Sequence, residues 1–218
     1  MRSADPLPRF ANDVVLRRLA ASDLPAFQAY RHDPLLAQYQ GWAAKSDAEA
    51  SAFLTNMSAV TLLQPGIWSQ IGIADPDGDC LIGDVGLFLA PDGHQSEIGV
   101  TLRRQSQGRG IATAAVREAI NLVFEQTNAD QVVGIADARN LQSIRLLQRV
   151  GMHMAESRGA IIREQPCVEH IYAISRRSDR TPSPRRGSAW ADVAGTSDSQ
   201  DQREGLRSSR THPTRKQA

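Results

Sequence analysis

Two hydrophobic rhythms alternate along this chain. Apolar side chains recur at every second position, or in short continuous runs, over 14–19, 68–74, 81–89, 97–102, 131–136, 152–162 and 168–174, which read as strands. Between them, helical spacing dominates from 111 to about 124. There Ala112, Val116, Ala119, Ile120 and Val123 fall on one stripe, with Arg117, Glu118 and Asn121 opposite and Leu122 off the pattern. A second helix over 141–150 points Leu141, Ile144 and Leu147 inward and Arg145, Gln148 and Arg149 outward, and Gly151 ends it at the position past the cap.

Local chemistry supplies the punctuation. Ser22-Asp23-Leu24-Pro25 opens an early helix, with a capping residue ahead of a first-turn proline, and Asp33-Pro34 breaks or restarts it. Ser46 and Glu49 form a capping box ahead of Ala50, Phe53, Leu54 and Met57. Asp75-Pro76-Asp77-Gly78 and Pro91-Asp92-Gly93 are turns between neighbouring strands. Three strands on short links predict an antiparallel meander, and the strand–helix–strand–helix order after it predicts crossovers. The expected fold is α/β of the mixed α+β kind: a mixed, mostly antiparallel sheet of about 6–7 strands with helices on both faces.

The 218 residues suffice for one domain with a full core. A formal net charge of +1 makes no general case for a nucleic-acid or membrane partner. Residues 181–218 hold seven Lys/Arg and four Asp/Glu, leaving 18 and 20 in the part before them, a slightly acidic body. The only large apolar residues of that last stretch are Trp190, Val193 and Leu206, too few to offset an ordering cost of about 1–2 kcal/mol per residue. We therefore expect a folded domain over 1–176 and a disordered polar tail over 177–218. Cys80 and Cys167 give neither a disulfide framework nor metal-ligand spacing, so no metal is expected. No apolar run approaches about 18 residues, and the first twenty residues lack the apolar stretch of a secretion signal, so a cytoplasmic protein is expected. No heptad or exposed apolar stripe chooses between a monomer and a homodimer.

The segment Gln105-Ser106-Gln107-Gly108-Arg109-Gly110 carries the most chemical information. It lies between the strand that starts near Glu97 and the helix that starts at Ile111. Two glycines one residue apart let several N–H groups turn to one side, and the helix N-terminus adds unpaired donors and a partial positive charge. Such a socket suits a phosphate or pyrophosphate. A dinucleotide fingerprint would place a third glycine where Thr113 stands, and no Gly-Lys pair exists for a P-loop, which makes a nucleotide-binding protein the weakest reading.

What remains, Q-x-x-G-x-G followed by Ile111 and Ala112, resembles the pyrophosphate loop of the GNAT superfamily of acyl-coenzyme A-dependent N-acyltransferases. A second stretch, from Asn140 through Ser143 to Gly151-Met152, resembles the N-x-x-S-x-x-x-x-x-x-x-G-[FM] run of the RimJ/RimL-like branch. The two matches together span roughly residues 95–152 in the family's order. The resemblance implies a GNAT-like fold and an N-acetyltransferase that moves an acetyl group from acetyl-coenzyme A to a primary amine by direct attack. The acceptor would be a protein N-terminus or a small-molecule amine. The alternative is a non-catalytic acyl-coenzyme A sensor.

On this reading the backbone of Gln107, Gly108, Arg109, Gly110, Ile111 and Ala112 anchors the diphosphate. The strand edge at Val100, Thr101 and Leu102 hydrogen-bonds the pantetheine amides like an added strand, and an N–H there faces the thioester oxygen. Asn140 bonds the pantetheine arm, and Ser143 lies near the sulfur as proton donor or as holder of a water. Many members carry a tyrosine acid seven residues after the asparagine; here that position is Leu147, which excludes it. Glu97 shares a strand face with Gly99 and Thr101 and is the candidate base. Tyr39 and Trp42, at the break between the first helices, are candidates for the acceptor pocket.

Overall fold

The computed structural model describes residues 5–176 apart from 12, 41, 78, 163 and 164, so the expected tail at 177–218 lies outside the described residues. Eight strands form one sheet: β1 (Arg9–Ala11), β2 (Val14–Arg18), β3 (Trp68–Asp75), β4 (Cys80–Leu89), β5 (Gln95–Leu102), β6 (Gln131–Asp137), β7 (His153–Ile162) and β8 (Gln165–Ser175). Their order is β1-β2-β3-β4-β5-β6-β8-β7. Among the described residues five α-helices accompany them: α1 (Leu24–Arg31), α2 (Pro34–Ala37), α3 (Asp47–Ala59), α4 (Ile111–Gln126) and α5 (Leu141–Arg149).

The mixed, mostly antiparallel sheet agrees with the sequence reading, since β5–β6 is its one parallel pairing. The strand count was low by the short edge strand β1, whose three residues are too few to show a period. Arg9 ties β1 onto α4 through ion pairs with Glu118 and, at 2.7 Å, Glu125. Two capping signals behave as read, whereas Asp23, ahead of α1, makes no side-chain cap to that helix and accepts from the Ala20 amide instead. Asp33 Oδ1 accepts from the Leu35 amide, and the box at Ser46 and Glu49 opens α3.

The sheet separates two apolar cores. α4 and α5 cover one face, against Leu16, Ile71, Val85, Ile98 and Tyr172; α1 and α3 cover the β3–β4 end of the other, around Phe27, Leu54 and Leu81. Leu122, off the expected stripe, is fully buried because α4 packs deep into the first core. Leu141, expected inward, is 57% exposed, since it is the first residue of α5 and stands clear of the sheet. The close packing of α5 depends on Gly134 of β6: a Cβ there would stand 2.5 Å from Leu147 Cδ2.

Candidate active site

The site begins where two parallel strands separate. β5 and β6 pair from Gln95↔Gln131 to Ile98↔Gly134 and no further, although β5 continues to Leu102 and β6 to Asp137. Each keeps its outer partner, β4 for β5 and β8 for β6, so the inner edges of Gly99–Leu102 and Ile135–Asp137 face a gap. An unpaired strand edge offers N–H and C=O groups to an extended ligand. Val100, Thr101 and Leu102 lie on the stretch of β5 past its last pairing with β6, one lip of that gap.

The glycine loop follows directly from that lip. Arg103 Nε donates to Ser106 Oγ at 2.8 Å, and Gln107 Nε2 donates to the Leu102 carbonyl at 2.9 Å, so these side chains fold the loop from within. Gly108 and Gly110 have φ of +75° and +81°, the left-handed region that favours glycine, and a Cβ on either would meet nothing within 4 Å. The first amide of α4 to bond back is that of Ala114, on the Gly110 carbonyl at 3.0 Å. Among the described residues, the amides from Gly108 to Thr113 donate to no protein acceptor. That is a cluster of oriented donors at the positive end of a 16-residue helix.

A cleft of about 450 Å³ also borders the loop, but on the β4 flank of β5, away from the gap. Asp13, Asp75 and Asp77 line it together with Arg103 and Arg109, so its charge is mixed, with carboxylates outnumbering guanidiniums.

Asn140 and Ser143 sit at the start of α5, just beyond the other lip. Asn140 Oδ1 caps the helix by accepting from the Ser143 amide at 3.1 Å, which leaves the amide NH2 for a ligand. The Ser143 hydroxyl has no hydrogen-bond partner among the described residues. Glu97 is half-buried, one rung below the gap, in register with Val133 and on the strand face it shares with Gly99 and Thr101. Leu147, at the expected tyrosine's position, is buried against Gly134.

The two aromatic candidates part company. Tyr39 is half-buried, 6.0 Å from the Arg139 guanidinium at the β6 lip. Trp42 is 1% exposed and stacks on the Arg31 guanidinium at 4.5 Å. It therefore builds the helical layer and presents no surface for an acceptor to touch, which corrects the expectation of direct contact.

Sequence reading missed the arginine–carboxylate pairs around the site. Arg139 grips Asp137, with Nε on Oδ1 at 2.9 Å and Nη2 on Oδ2 at 2.6 Å, and its backbone N–H donates to the same carboxylate. Arg104, just past β5, pairs with Asp33 at 2.6 Å. Below them, Asp84 is fully buried and accepts from Tyr30 Oη at 2.5 Å, Arg31 Nη2 at 2.8 Å and Gln70 Nε2. The Arg139 hydrogen bond holds the Asp137 carboxyl below its ordinary range. Burial, reinforced by the Asp137 carboxylate, pushes the Cys167 thiol up. Of these groupings only the Asp-x-Arg spacing of 137 and 139 was visible locally.

A sheet split between two parallel strands, beside a helix N-terminus with free amides, is the arrangement that the resemblance to acyl-coenzyme A-dependent transferases leads one to expect. Residues 13–153 match the Acetyltransferase (GNAT) domain, and the chain belongs to that family of acetyl-coenzyme A-dependent acetyltransferases. The uncharacterized N-acetyltransferase YnaD of Bacillus subtilis is 22% identical over 139 residues, 64% of this chain and 78% of that protein. Among solved structures, the ribosomal L7/L12 alpha-N-protein acetyltransferase RimL with coenzyme A superposes with a TM-score of 0.67 at 17% identity, covering 77% of this chain and 96% of that one. The spermidine N-acetyltransferase of Vibrio cholerae, with coenzyme A and spermine, superposes with a TM-score of 0.65 at 16% identity over 75% and 96%. At these identities the likeness is one of fold.

Proposed function

We propose that this enzyme transfers the acetyl group of acetyl-coenzyme A to a primary amine by direct attack, on the pattern of the RimJ/RimL-like branch. The observation that carries the proposal is the adjacency of the free amides at Gly108–Thr113 and the gap that opens at Ile98 and Gly134. The amides hold the diphosphate, and the edge at Val100–Leu102 takes the pantetheine arm as a third strand would. This brings the thioester between the lips, where a backbone N–H can meet the charge that develops on the carbonyl oxygen.

Glu97 receives the ammonium proton, directly or through a water, because it lies at the base of the gap on the face opposite α4. Ser143 supplies a proton to the departing sulfur or orients the water that does. The Asn140 amide NH2 bonds the pantetheine arm while its oxygen serves α5. Direct attack agrees with the state of Cys167, whose raised thiol pKa makes it a poor nucleophile. Tyr39 borders the acceptor's path.

The acceptor is a protein N-terminus or a small amine, the two classes named for RimL and for the spermidine enzyme. Thiol-release assays across peptides, polyamines and aminoglycosides test the proposal. Release with one acceptor establishes the transferase and removes the binding-only alternative; acetyl-coenzyme A binding with no release across the panel would favour that alternative.

A further inference from the structure

We propose that Arg139 determines specificity by receiving a carboxylate of the acceptor, so that the preferred substrate is an amine with an acidic group nearby and not a polyamine. The inference rests on the acetyl-transfer reading above and adds the acceptor's chemical class.

Arg139 stands between Asp137, the last residue of β6, and Asn140, the cap of α5. It therefore occupies the open end of the gap. Its Nε and Nη2 are fixed on Asp137, whose side chain is 1% exposed, so the guanidinium plane is held in place. Yet its own side chain remains 60% exposed, and Nη1 has no acceptor among the described residues. A planar cation held on one side with free donors on the other is preorganised for a second carboxylate.

The opposite wall narrows the approach. Asp33 and Tyr39 flank the short α2; Asp33 pairs with Arg104 beyond the β5 lip, and Tyr39 lies beside Arg139 at the β6 lip. The segment 33–39 is thus tied to both lips and carries an acceptor past the Arg139 guanidinium.

Charge compensation points the same way. Asp33 is paired with Arg104, Asp137 with Arg139, and Glu169, level with Asp137 on β8, with Arg158 at 3.0 Å. A polycation gains its affinity from carboxylates whose charge is not already met, and these three are met. Of these paired charges, Arg139 keeps an unused donor, Nη1, at the mouth.

The test compares matched acceptors by thiol release: β-alanine against β-alaninamide, and a tetrapeptide starting Ser-Asp against one starting Ser-Asn, with spermidine alongside. The two pairs distinguish a small acid from a peptide terminus. Wild type should prefer the acid member of at least one pair in kcat/KM by about tenfold, the factor that ~1.4 kcal/mol represents. Arg139→Gln should bring that ratio to about one while leaving the neutral member and the acetyl-coenzyme A Kd within about twofold, and Arg139→Lys should keep part of the preference. A loss shared equally by both members would show a structural role and overturn the proposal. So would equal use of both members by wild type, or spermidine as the best acceptor. Acetyl-coenzyme A binding without turnover of any probe also overturns it, whereas failure to bind acetyl-coenzyme A would overturn the transferase reading itself.

Discussion

Ile98 and Gly134 are the last pair of residues joined across β5 and β6. Past them the two strands stay bonded to their outer neighbours and not to each other. This one discontinuity places Glu97, the Val100–Leu102 edge, Asn140 and Ser143 around a common opening.

The chemistry assigned to that opening predicts separable losses. Glu97→Gln should lower kcat by about tenfold or more while leaving the Kd for acetyl-coenzyme A within about twofold. Ser143→Ala should slow thiol release to a smaller degree, since a water can take its place. A Glu97→Gln enzyme within about threefold of wild type would remove Glu97 as the base.

Gly134 predicts a packing limit. A Cβ there would stand 2.5 Å from Leu147 Cδ2, inside any normal contact. Gly134→Val should destabilise the fold by about 1–3 kcal/mol, and Leu147→Ala in the same chain should recover part of the loss. Thermal unfolding of the two single variants and the double variant measures this. Additive losses would mean that α5 does not press on β6 at that point.

The domain boundary expected at 176 predicts a truncation result. Arg176 donates to the carbonyls of Phe124, Thr127 and Ala129 at 2.6, 2.7 and 3.0 Å, and its guanidinium lies 5.0 Å from the Phe124 ring. One side chain thereby binds the residue after β8 to the last turn of α4, its cap and the loop that follows. A chain ending at 176 should keep the melting temperature of the full chain. Arg176→Ala should cost about 1–3 kcal/mol, because three carbonyls lose a charged donor. Equal stability of Arg176→Ala and wild type would contradict this.

Asp137 predicts a sign for the pH dependence. Its hydrogen bond from Arg139 lowers its pKa in the folded protein below the ordinary value of 3.8. A depressed carboxylate adds stability that is present above the unfolded pKa and lost as pH falls through the folded one. The gap in melting temperature between wild type and Asp137→Asn should therefore be widest near neutrality and close below about pH 4. A gap that does not change with pH would assign the effect to packing.

The parts of this molecule that were legible in the sequence are those whose causes are local. Ser46 and Glu49 cap α3, Gly151 closes α5, and the two loop glycines, read as freeing the backbone to turn, carry positive φ. The loop, the Asn140 cap and the strand face of Glu97 follow from short-range pattern. What stayed hidden is tertiary. Arg104 and Asp33 are 71 residues apart, and Tyr30 and Asp84 are 54 apart, so nothing in either neighbourhood announces the pair. Trp42 was misplaced for a related reason: a tryptophan beside a glycine suggests an exposed loop, while its burial comes from Arg31 on another element. The edge strand β1 escaped because its three residues gain their place from α4 and β2, not from their own period.

The central claim is that the amides beside Gly108 and Gly110 hold the diphosphate of acetyl-coenzyme A, and calorimetric titration with that compound tests it most directly. Wild type should bind one equivalent with a Kd in about the micromolar range. Gly108→Glu, which sets a carboxylate at the socket and a side chain at a left-handed position, should abolish the binding heat with little change in circular dichroism. Undiminished binding by a folded Gly108→Glu protein would contradict the account.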